Sequence, residues 1–536
     1  MPSPKTALIL FVSLGMVSFY DINNSNTTRG SQGNEAAVTD STAAGKQLAL
    51  RYCGTCHLFP EPGLLDKKTW ITGVLPNMGM RLGIKIPGQD TLKPLSPEEE
   101  QAVSALNIYP EQAALSVADW QKIVSYYEEN APDDPLPQKT HASITGQLPL
   151  FRGKALVLSD KPVPQTTLLK FDKKTAQLYI GDAQNALYVL DGQFKPKDTW
   201  WIDTPPTDID FPENAPPRLL TIGIFRPSDQ QLGRLMTLER SAKAGQSRPG
   251  HEGPGQSRPE SAPINIRGLP RPVQFASGDL NGDGKEDVVI CGFGNNAGKL
   301  FWYDGFDPAK EHVLKAAPGA RNVIIRDFNR DNKPDIMVLM AQAREEVSIF
   351  YNQGKGEFKE KTVLRFSPLF GSSYIELADF NKDNFPDILL ANGDNWDYSA
   401  IHKNYHGIRI YLNDRKNNFK EAWFHPMFGA SKAIARDFDN DGDLDIAATA
   451  FYADLEQPEQ GFIYLANEGR FTFKPFSTPE AATGKWLTME AADFDQDGDI
   501  DLVLGSYFHS FGEMTQLLFK GITTFPQLLV LENQRK

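Results

Sequence analysis

The stretch GDLNGDGKEDVVI, residues 278–290, alternates oxygen-bearing side chains and then continues as a run of apolar residues. Four further copies follow at residues 326–338, 378–390, 436–448 and 492–504. A segment that alternates like a strand precedes each copy, and two more strand-like segments follow it. Strand, loop, strand, turn and strand, repeated about every fifty residues, predict one blade of a β-propeller per copy.

Two weaker units precede the five copies, at residues 168–192 and 219–238, with the same apolar rhythm but without the acidic loop. The two weaker units and the five copies together predict a seven-bladed propeller over residues 151–536. The last unit ends one strand short, at residues 527–534. We therefore expect GKALVLSD, residues 153–160, to supply the missing outer strand and close the ring.

The acidic loops place oxygen side chains at positions 1, 3, 5 and 9. Alternate residues of a tight loop can point inward, and a hard cation such as Ca²⁺ takes six to eight oxygen ligands. Position 6 must turn sharply, and it is Gly or Asn in every copy. The sequence therefore predicts about five structural Ca²⁺ sites. Their ligands would be Asp279, Asn281, Asp283, Asp287, Asp327, Asn329, Asp331, Asp335, Asp379, Asn381, Asp383, Asp387, Asp437, Asp439, Asp441, Asp445, Asp493, Asp495, Asp497 and Asp501.

These loops resemble EF-hand loops, but they lack the glutamate at position 12 and no helices flank them. They are more similar to the FG-GAP (VCBS) repeats of integrin α-chain propellers and of many secreted bacterial proteins. The resemblance covers about residues 160–536. It implies an all-β propeller stabilised by calcium.

A second motif lies in LALRYCGTCHLFP, residues 48–60, which holds two of the three cysteines of the chain. The spacing C-x-x-C-H is typical of covalent c-type haem attachment. Cys53 and Cys56 would form thioethers, and His57 would be the proximal iron ligand. A dithiol redox pair is the alternative, but such a pair does not need the histidine. Cys291, which has no partner, is interpreted as a small buried residue.

Helices are predicted around residues 45–53 and 115–132, the second with a cap at Ser116 and Asp119. With the C-x-x-C-H motif between them, residues 43–132 resemble a small class I cytochrome c domain. That family uses a methionine as second axial ligand, which implies Met78 or Met80. Met78 is favoured because it follows Pro76 in what reads as a turn. The fold class predicted is thus multidomain, with a small all-α cytochrome c domain followed by an all-β seven-bladed propeller.

The remaining segments suggest export. Residues 1–20 carry a lysine followed by an apolar run, as in a signal peptide or N-terminal membrane anchor. Residues 21–42 are polar and are expected to be a disordered linker, and residues 133–150 form a second linker. Haem c attachment fits a periplasmic or extracellular location. The net charge of −13 argues against nucleic acid as a partner.

A ligand site is expected on the propeller face opposite the acidic loops. The loops between second and third strands and the segments that join blades share that face, and they carry basic and aromatic residues. These would suit an anionic or sugar-like ligand if they converge on the channel. The candidates are Arg271, Arg321, Trp396, Asp397, His402, Lys432, Tyr452, Lys485 and His509. The alternative is that they are solvated loop residues that never meet.

Three functions are compatible with these features. The first is an exported haem c electron-transfer protein whose propeller docks a partner protein or a ligand. The second is an oxidoreductase that acts on a sugar or alcohol and passes electrons to its haem, an analogy at the level of fold alone. The third is a calcium-dependent carbohydrate-binding or adhesion protein. No catalytic triad, phosphate loop or zinc motif is present in the sequence.

Overall fold

The computed structural model describes residues 33–85, 95–238, 256–257, 264–394 and 401–535. They form a small helical unit followed by a ring of seven antiparallel sheets. Within these ranges, no helix is both long and apolar enough to cross a membrane. The predicted signal or anchor segment, residues 1–20, lies outside them.

Among its described residues, the helical unit contains five α-helices. They are α1 (Gly33–Cys53), α2 (Lys67–Thr69), α3 (Leu75–Arg81), α4 (Pro97–Ala105) and α5 (Val117–Asn130), with a 3-10 turn at Pro62–Leu64 and a π-helical turn at Trp70–Val74. The predicted helix at residues 45–53 is confirmed as the last part of α1, and the one at 115–132 is confirmed as α5, which is two residues shorter at each end. At the start of α5, the Ser116 hydroxyl accepts a hydrogen bond from the Asp119 amide at 3.1 Å.

One predicted boundary differs from the structure. The disordered linker proposed for residues 21–42 is helical from Gly33 onward, because α1 extends ten residues before the predicted start of the domain at 43. The core of the helical unit is apolar and aromatic, with Trp70, Trp120 and Tyr127 almost wholly buried between α1, α3 and α5. The described part of the helical unit therefore has one core of its own, formed by residues between Ala49 and Ala131.

Each of the seven blades has four antiparallel strands. Blade 1 is β2 (Thr166–Asp172), β3 (Gln177–Asp182), β4 (Ala186–Asp191) and β5 (Pro196–Trp201), and blade 2 is β6 (Pro206–Asp210), β7 (Arg218–Thr221), β8 (Gly233–Thr237) and β10 (Ile264–Leu269). The short β9 (Gln256–Ser257) pairs in parallel with β5. Blade 3 is β11 (Pro272–Gly278), β12 (Asp287–Gly292), β13 (Lys299–Tyr303) and β14 (Glu311–Lys315), and blade 4 is β15 (Ala320–Arg326), β16 (Asp335–Met340), β17 (Glu346–Gly354) and β18 (Glu357–Arg365).

Blade 5 is β19 (Ser372–Ala378), β20 (Asp387–Asn392), β21 (Gly407–Asn413) and β22 (Phe419–Pro426). Blade 6 is β23 (Ala430–Arg436), β24 (Asp445–Ala450), β25 (Phe462–Asn467) and β26 (Phe473–Phe476). Blade 7 is β27 (Trp486–Ala492), β28 (Asp501–Ser506), β29 (Leu528–Asn533) and β1 (Phe151–Leu156). A helix, α6 (Phe511–Phe519), is inserted between β28 and β29, and 3-10 turns lie at Asp304–Phe306, Pro458–Gly461 and Pro479–Thr483.

The predicted ring closure is confirmed. Strand β1 is the outermost strand of blade 7, and its register pairs Phe151 with Asn533 and Leu156 with Leu528. The first strand of each blade lines the centre of the ring, and apolar clusters fill the space between neighbouring sheets. A bulge interrupts the pairing of first and second strands at the same register position in all seven blades. The two weak units therefore share the blade geometry of the five strong ones.

The two ends of the ring differ. The end formed by the loops between first and second strands carries the acidic loops and is called the aspartate-loop end. The other, formed by the loops between second and third strands and by the segments that join blades, is called the connection end. Residues 245–260, a Gly/Ser/Pro-rich stretch, fall between β8 and β10, and apart from β9 they lie outside the described residues.

The segment between the two units is ordered against the propeller. Residues 138–148, called the strap, run along the outside of blades 5 to 7. Gln138 donates a hydrogen bond to the His406 carbonyl at 3.1 Å, and Thr145 pairs in parallel with Phe476. Leu148 is buried in the cluster between blades 6 and 7. The linker predicted at residues 133–150 thus joins the units through fixed contacts.

Candidate functional site

The C-x-x-C-H residues lie where α1 ends. Cys53 is the last residue of the helix, and Cys56 and His57 follow in the next turn. Both cysteines are free thiols. Burial, with a smaller contribution from Cys56, raises the pKa of Cys53 to about 11, so this thiol is protonated at neutral pH. His57 is half-buried, and burial lowers its pKa.

The imidazole of His57 is oriented by the backbone. Its Nδ1 atom lies 2.9 Å from the Leu58 carbonyl oxygen, a contact that places the proton of the neutral ring on Nδ1. Nε2 then carries the lone pair. A metal-ligating histidine is oriented in this way, with its other ring nitrogen bound to a carbonyl.

Both candidate methionines lie in a helix, not in the turn that the sequence suggested. Pro76 occupies the first turn of α3, where a proline is tolerated, so the chain continues helically through Met78 and Met80. Met78 packs against the buried cluster that contains Trp70 and Trp120, and Cys53 packs against the same cluster. The donor set consists of two thiols and an imidazole in one turn, with a thioether that packs against the same core as Cys53. Its chemistry fits a c-type haem.

The helical unit is docked on the connection end. The Arg81 guanidinium donates a hydrogen bond to the Asn296 side chain at 2.8 Å, in the loop between the second and third strands of blade 3. Leu369 lies in the segment before blade 5, and Ile401 lies in the loop between its second and third strands. Both pack against the same cluster as Met78. The apolar core of the helical unit therefore extends onto the propeller.

A second polar contact anchors α4. The carboxylate of Glu99 accepts hydrogen bonds from the Ser228 hydroxyl at 2.7 Å and from the Asp229 amide at 3.1 Å. Asp229 is itself buried, and its Oδ1 accepts from the amides of Asn295, Asn296 and Ala297. Glu99, the blade 2 loop and the blade 3 loop thus form one continuous network.

The aspartate loops share one internal geometry. In blade 3, Asp279 accepts hydrogen bonds from the amides of Gly282, Asp283 and Gly284. Asn281 accepts from the Asp283 amide at 2.9 Å. Position 6 has a positive φ in all five loops, as the sequence predicts: 80° at Gly284, 64° at Asn332, 65° at Asn384, 94° at Gly442 and 101° at Gly498.

The ninth position has a structural role that the sequence did not reveal. Asp335 is fully buried, and its carboxylate accepts hydrogen bonds from the amides of Phe328 at 2.9 Å and Asn352 at 2.8 Å. The pairs Asp387–Asn413, Asp445–Asn467 and Asp501–Asn533 repeat the second contact at 2.8 Å. Burial raises the pKa of the ninth carboxylate, to about 6 at Asp387 and Asp445 and to about 7 at Asp501.

The asparagine whose backbone amide contacts this carboxylate also donates hydrogen bonds, through its side chain, to backbone carbonyls around the loop. Asn352 donates from its side chain to the Pro334 carbonyl at 3.1 Å and to the Leu280 carbonyl of the preceding blade at 2.8 Å. Asn533 makes the equivalent bonds to Ile500 and Phe438. The signal was present in the sequence, since an asparagine recurs in the third-strand segments of blades 4 to 7.

The loops of blades 6 and 7 have the most compact oxygen clusters. In each, one carboxylate oxygen from positions 1, 3 and 5 lies within 4.8 Å of the others: Asp437, Asp439 and Asp441 in one loop, and Asp493, Asp495 and Asp497 in the other. Buried oxygens of Asp437, Asp499 and Asp501 have no hydrogen-bond partner among the described residues. Unpartnered buried carboxylate oxygens fit the chemistry of a bound cation.

The four basic residues of the expected ligand site lie near the connection end, but three of them have strong partners. Arg271 donates to the carbonyls of Gly294 at 2.8 Å and Phe225 at 3.0 Å. Arg321 lies 3.2 Å from the Asp394 carboxylate, and Lys485 lies 2.9 Å from that of Glu513. Two of the four positive charges are therefore offset by carboxylates, and Arg271 is held by backbone carbonyls.

Lys432 lies deeper, on the inner strand of blade 6. Its ammonium group is 5.0 Å from the centre of the Tyr374 ring. Burial lowers its pKa, while Glu490 and Glu376, on the inner strands of the two neighbouring blades, oppose that shift. Inside the channel, the positive charge of Lys432 is thus offset by the negative charges of these two carboxylates.

The aromatic candidates converge only in part. Phe451 and Tyr507 meet His509 with ring centres 5.5 and 5.3 Å apart, and Lys485 lies 4.5 Å above Phe451. Tyr452 stands next to Phe451, with ring centres 4.8 Å apart.

His402 is separate from this cluster. It stacks on Phe428 at 4.1 Å and lies 4.0 Å from Asp454. Trp396 and Asp397 lie outside the described residues.

The loops match a known repeat. The sequence profile of the FG-GAP-like repeat fits residues 279–338, 327–390 and 437–504. These are FG-GAP repeats. Such repeats are typical of extracellular or secreted proteins.

Relatives of the FG-GAP propeller include integrin alpha-4 of Xenopus laevis, which is 30% identical over 146 residues. That match spans 25% of this chain and 14% of the integrin chain. Among solved structures, the Neurospora crassa Pan2 WD40 domain is similar at 12% identity with a TM-score of 0.41, over 73% of this chain and 98% of that one. The N-terminal domain of Nup159 is similar at 10% identity and a TM-score of 0.39, over 72% and 96% of the two chains.

Proposed function

We propose that this chain is an exported haem c electron-transfer protein, in which a calcium-stabilised FG-GAP propeller docks a partner protein or a ligand. Cys53 and Cys56 would hold the porphyrin through thioether bonds, His57 would be the proximal iron ligand and Met78 the second axial ligand. When bound, the haem would supply exchange of single electrons.

The observation that carries the proposal is the turn at the end of α1. It presents two free thiols three residues apart, followed by an imidazole whose Nδ1 is engaged by the Leu58 carbonyl. A dithiol redox pair would not account for the orientation of His57. The contact of Met78 with the core beside Cys53 supports Met78 over Met80 as the second ligand.

The aspartate loops support the calcium part of the proposal. Seventeen of their twenty side chains at positions 1, 3, 5 and 9 are carboxylates. Carboxylates held this close repel one another, and a bound divalent cation relieves the repulsion. The unpartnered oxygens in blades 6 and 7 are the best-supported sites. The cations would be structural, because each loop joins two strands of a blade.

Docking and export rest on other observations. The similarity to an integrin propeller supports ligand or partner binding in general. Repeats typical of extracellular proteins support export, as does the haem motif, since covalent attachment of haem c in bacteria takes place outside the cytoplasm. Residues 1–20 would then act as the signal peptide or anchor.

Covalent attachment is tested on the full-length exported protein by acid–acetone extraction after denaturation. We expect the haem to stay with the polypeptide of the unmodified protein and to be absent from the double variant Cys53→Ala, Cys56→Ala. Cys291→Ala, which removes the buried thiol of blade 3, is the matched control and should retain the haem. Colour that extracts from the unmodified protein, or attachment that survives in the double variant, would contradict the proposal.

The axial ligand is tested separately. Met78→Ala should remove the near-infrared charge-transfer band between methionine sulfur and iron, and Met80→Ala should leave it unchanged. The reverse result would assign Met80 and leave the rest of the proposal standing.

A further inference from the structure

A cavity of about 610 Å³ opens at the aspartate-loop end between blades 1 and 2. It is formed by the ends of the inner strands β2 and β6 and by the loops that follow them. The residues that line it are Lys170, Asp172, Lys173, Lys174, Asp210, Phe211, Glu213 and Asn214. It therefore occupies the sector of the ring where the acidic loops of the other five blades are missing.

The sector differs from its neighbours in charge. Blades 3 to 7 present three or four carboxylates per loop at this end, whereas the corresponding loop of blade 1 reads DKKT, residues 172–175. Lys173 and Lys174 are exposed at the mouth of the cavity, and Lys170 lies at its inner side on the channel wall. Three ammonium groups thus surround one opening on a chain with a net charge of −13.

Of the three carboxylates that line the cavity, those of Asp172 and Asp210 are hydrogen-bonded to neighbouring groups, and the third belongs to the exposed Glu213. Asp172 accepts hydrogen bonds from the Lys174 amide at 3.0 Å and from the Thr175 hydroxyl at 2.6 Å. Asp210 is bound by two nitrogens of the Arg218 guanidinium. These hydrogen bonds partly offset the negative charge that the two side chains present to the cavity.

The lysines are less well paired. Within the described residues, no carboxylate oxygen lies within 4.0 Å of the ammonium groups of Lys170, Lys173 or Lys174. Lys174 donates instead to the backbone carbonyl of Glu213 at 2.9 Å. Asp208, farther inside the channel, raises the pKa of Lys170, which keeps that side chain charged. Phe211, whose ring packs against Tyr179 at 4.9 Å, adds an apolar wall.

We propose that this cavity binds a small dianion carrying carboxylate or phosphate oxygens, held by Lys173 and Lys174 at the mouth and by Lys170 at the inner side. The site is distinct from the haem motif and from the cation loops, and it lies at the opposite end of the ring from the docked helical unit. Charge attraction and hydrogen bonds to three ammonium groups favour two negative charges over one. The apolar wall suits a short carbon chain, as in a dicarboxylate.

The test uses the full-length protein with calcium fixed in excess, at low ionic strength, and isothermal titration calorimetry with succinate and with inorganic phosphate. We expect saturable binding of at least one probe, and the tighter probe names the chemical class. The variant Lys173→Gln, Lys174→Gln should weaken binding by about tenfold or more, equivalent to about 1.4 kcal/mol. Added salt should weaken it as well.

The matched control is Lys195→Gln, Lys197→Gln. Lys195 lies in the turn between β4 and β5 of the same blade, and Lys197, which pairs with Asp191, lies at the start of β5. Both are exposed at the same end of the ring, so the variant has the same net charge but leaves the cavity intact. It should bind the probe like the unmodified protein. Equal weakening in both variants, or no saturable binding of either probe, would overturn the proposal. Because all four side chains are exposed, each variant should fold.

Discussion

Replacing Asn352 tests whether the recurring asparagine holds neighbouring blades together. Its side chain is 2% exposed and makes three hydrogen bonds: to the carbonyls of Leu280 and Pro334, and from the Gly354 amide at 2.8 Å. Each buried hydrogen bond contributes about 0.5–1.5 kcal/mol. Asn352→Ala should therefore lower the free energy of unfolding of the propeller by about 2–4 kcal/mol.

The measurement is urea unfolding followed by far-ultraviolet circular dichroism, with calcium concentration held constant. Gln353→Ala is the matched control, because Gln353 is the next residue on β17 and is exposed. Its effect should stay within about 0.5 kcal/mol, as for most surface substitutions.

A third variant separates hydrogen bonding from volume. Asn352→Asp keeps the size of the side chain and the acceptor for Gly354, but it loses both donors and brings a second carboxylate near buried Asp335. It should be at least as destabilising as Asn352→Ala. If Asn352→Ala unfolds like Gln353→Ala, or if Asn352→Asp is neutral, the asparagine does not hold the blades together.

Three further predictions follow from other contacts. Chelation of calcium should lower the melting temperature of the propeller, since a site that is saturated at a hundred times its Kd contributes about 2.7 kcal/mol; a melting curve indifferent to chelator would refute a structural role. Burial, and secondarily His141, lowers the pKa of His425 to about 4, so its stabilising effect is complete above about pH 6.5 and is lost as the pH falls toward 4. Over that range the unmodified protein should lose about 2–3 kcal/mol that His425→Leu does not lose, with the exposed His312→Leu as control. Asp229→Ala should speed hydrogen exchange in residues 293–298 and in α4 together; a change confined to the loop would show that the network does not anchor the helical unit.

Much of the fold was predictable because the repeats carry local constraints. A turn that needs a positive φ selects Gly or Asn at position 6, and a cation-binding loop selects oxygen side chains at fixed spacing, so both are visible in one sequence. The missing strand of the last unit could likewise be assigned to β1. That unit supplies only three strands, and its third strand needs an antiparallel neighbour to complete the blade. Each of these inferences depends on residues close together in the chain or on a simple count of strands.

The site was less predictable, because its geometry depends on contacts between distant residues. Lys485 pairs with Glu513 of α6, and Arg321 pairs with Asp394 of a blade 5 loop. Nothing in the sequence around the basic residues points to these partners. The docking of α4 through Glu99 was also missed, since a glutamate at that place is expected as part of a capping box alone. The helical setting of Met78 was missed because Pro76 suggested a turn.

The pairing of β1 with β29 has a consequence for the order in which the protein folds. The ring closes only when a strand made early in synthesis meets one made near the end, so blade 7 cannot gain its outer strand until almost the whole chain has been made. Until then β29 exposes an unpaired edge, which invites misassembly with another chain. The helical unit precedes β1 in the chain, so all of its residues are made before the strands that close the ring. The two units therefore become available for folding at different stages of synthesis.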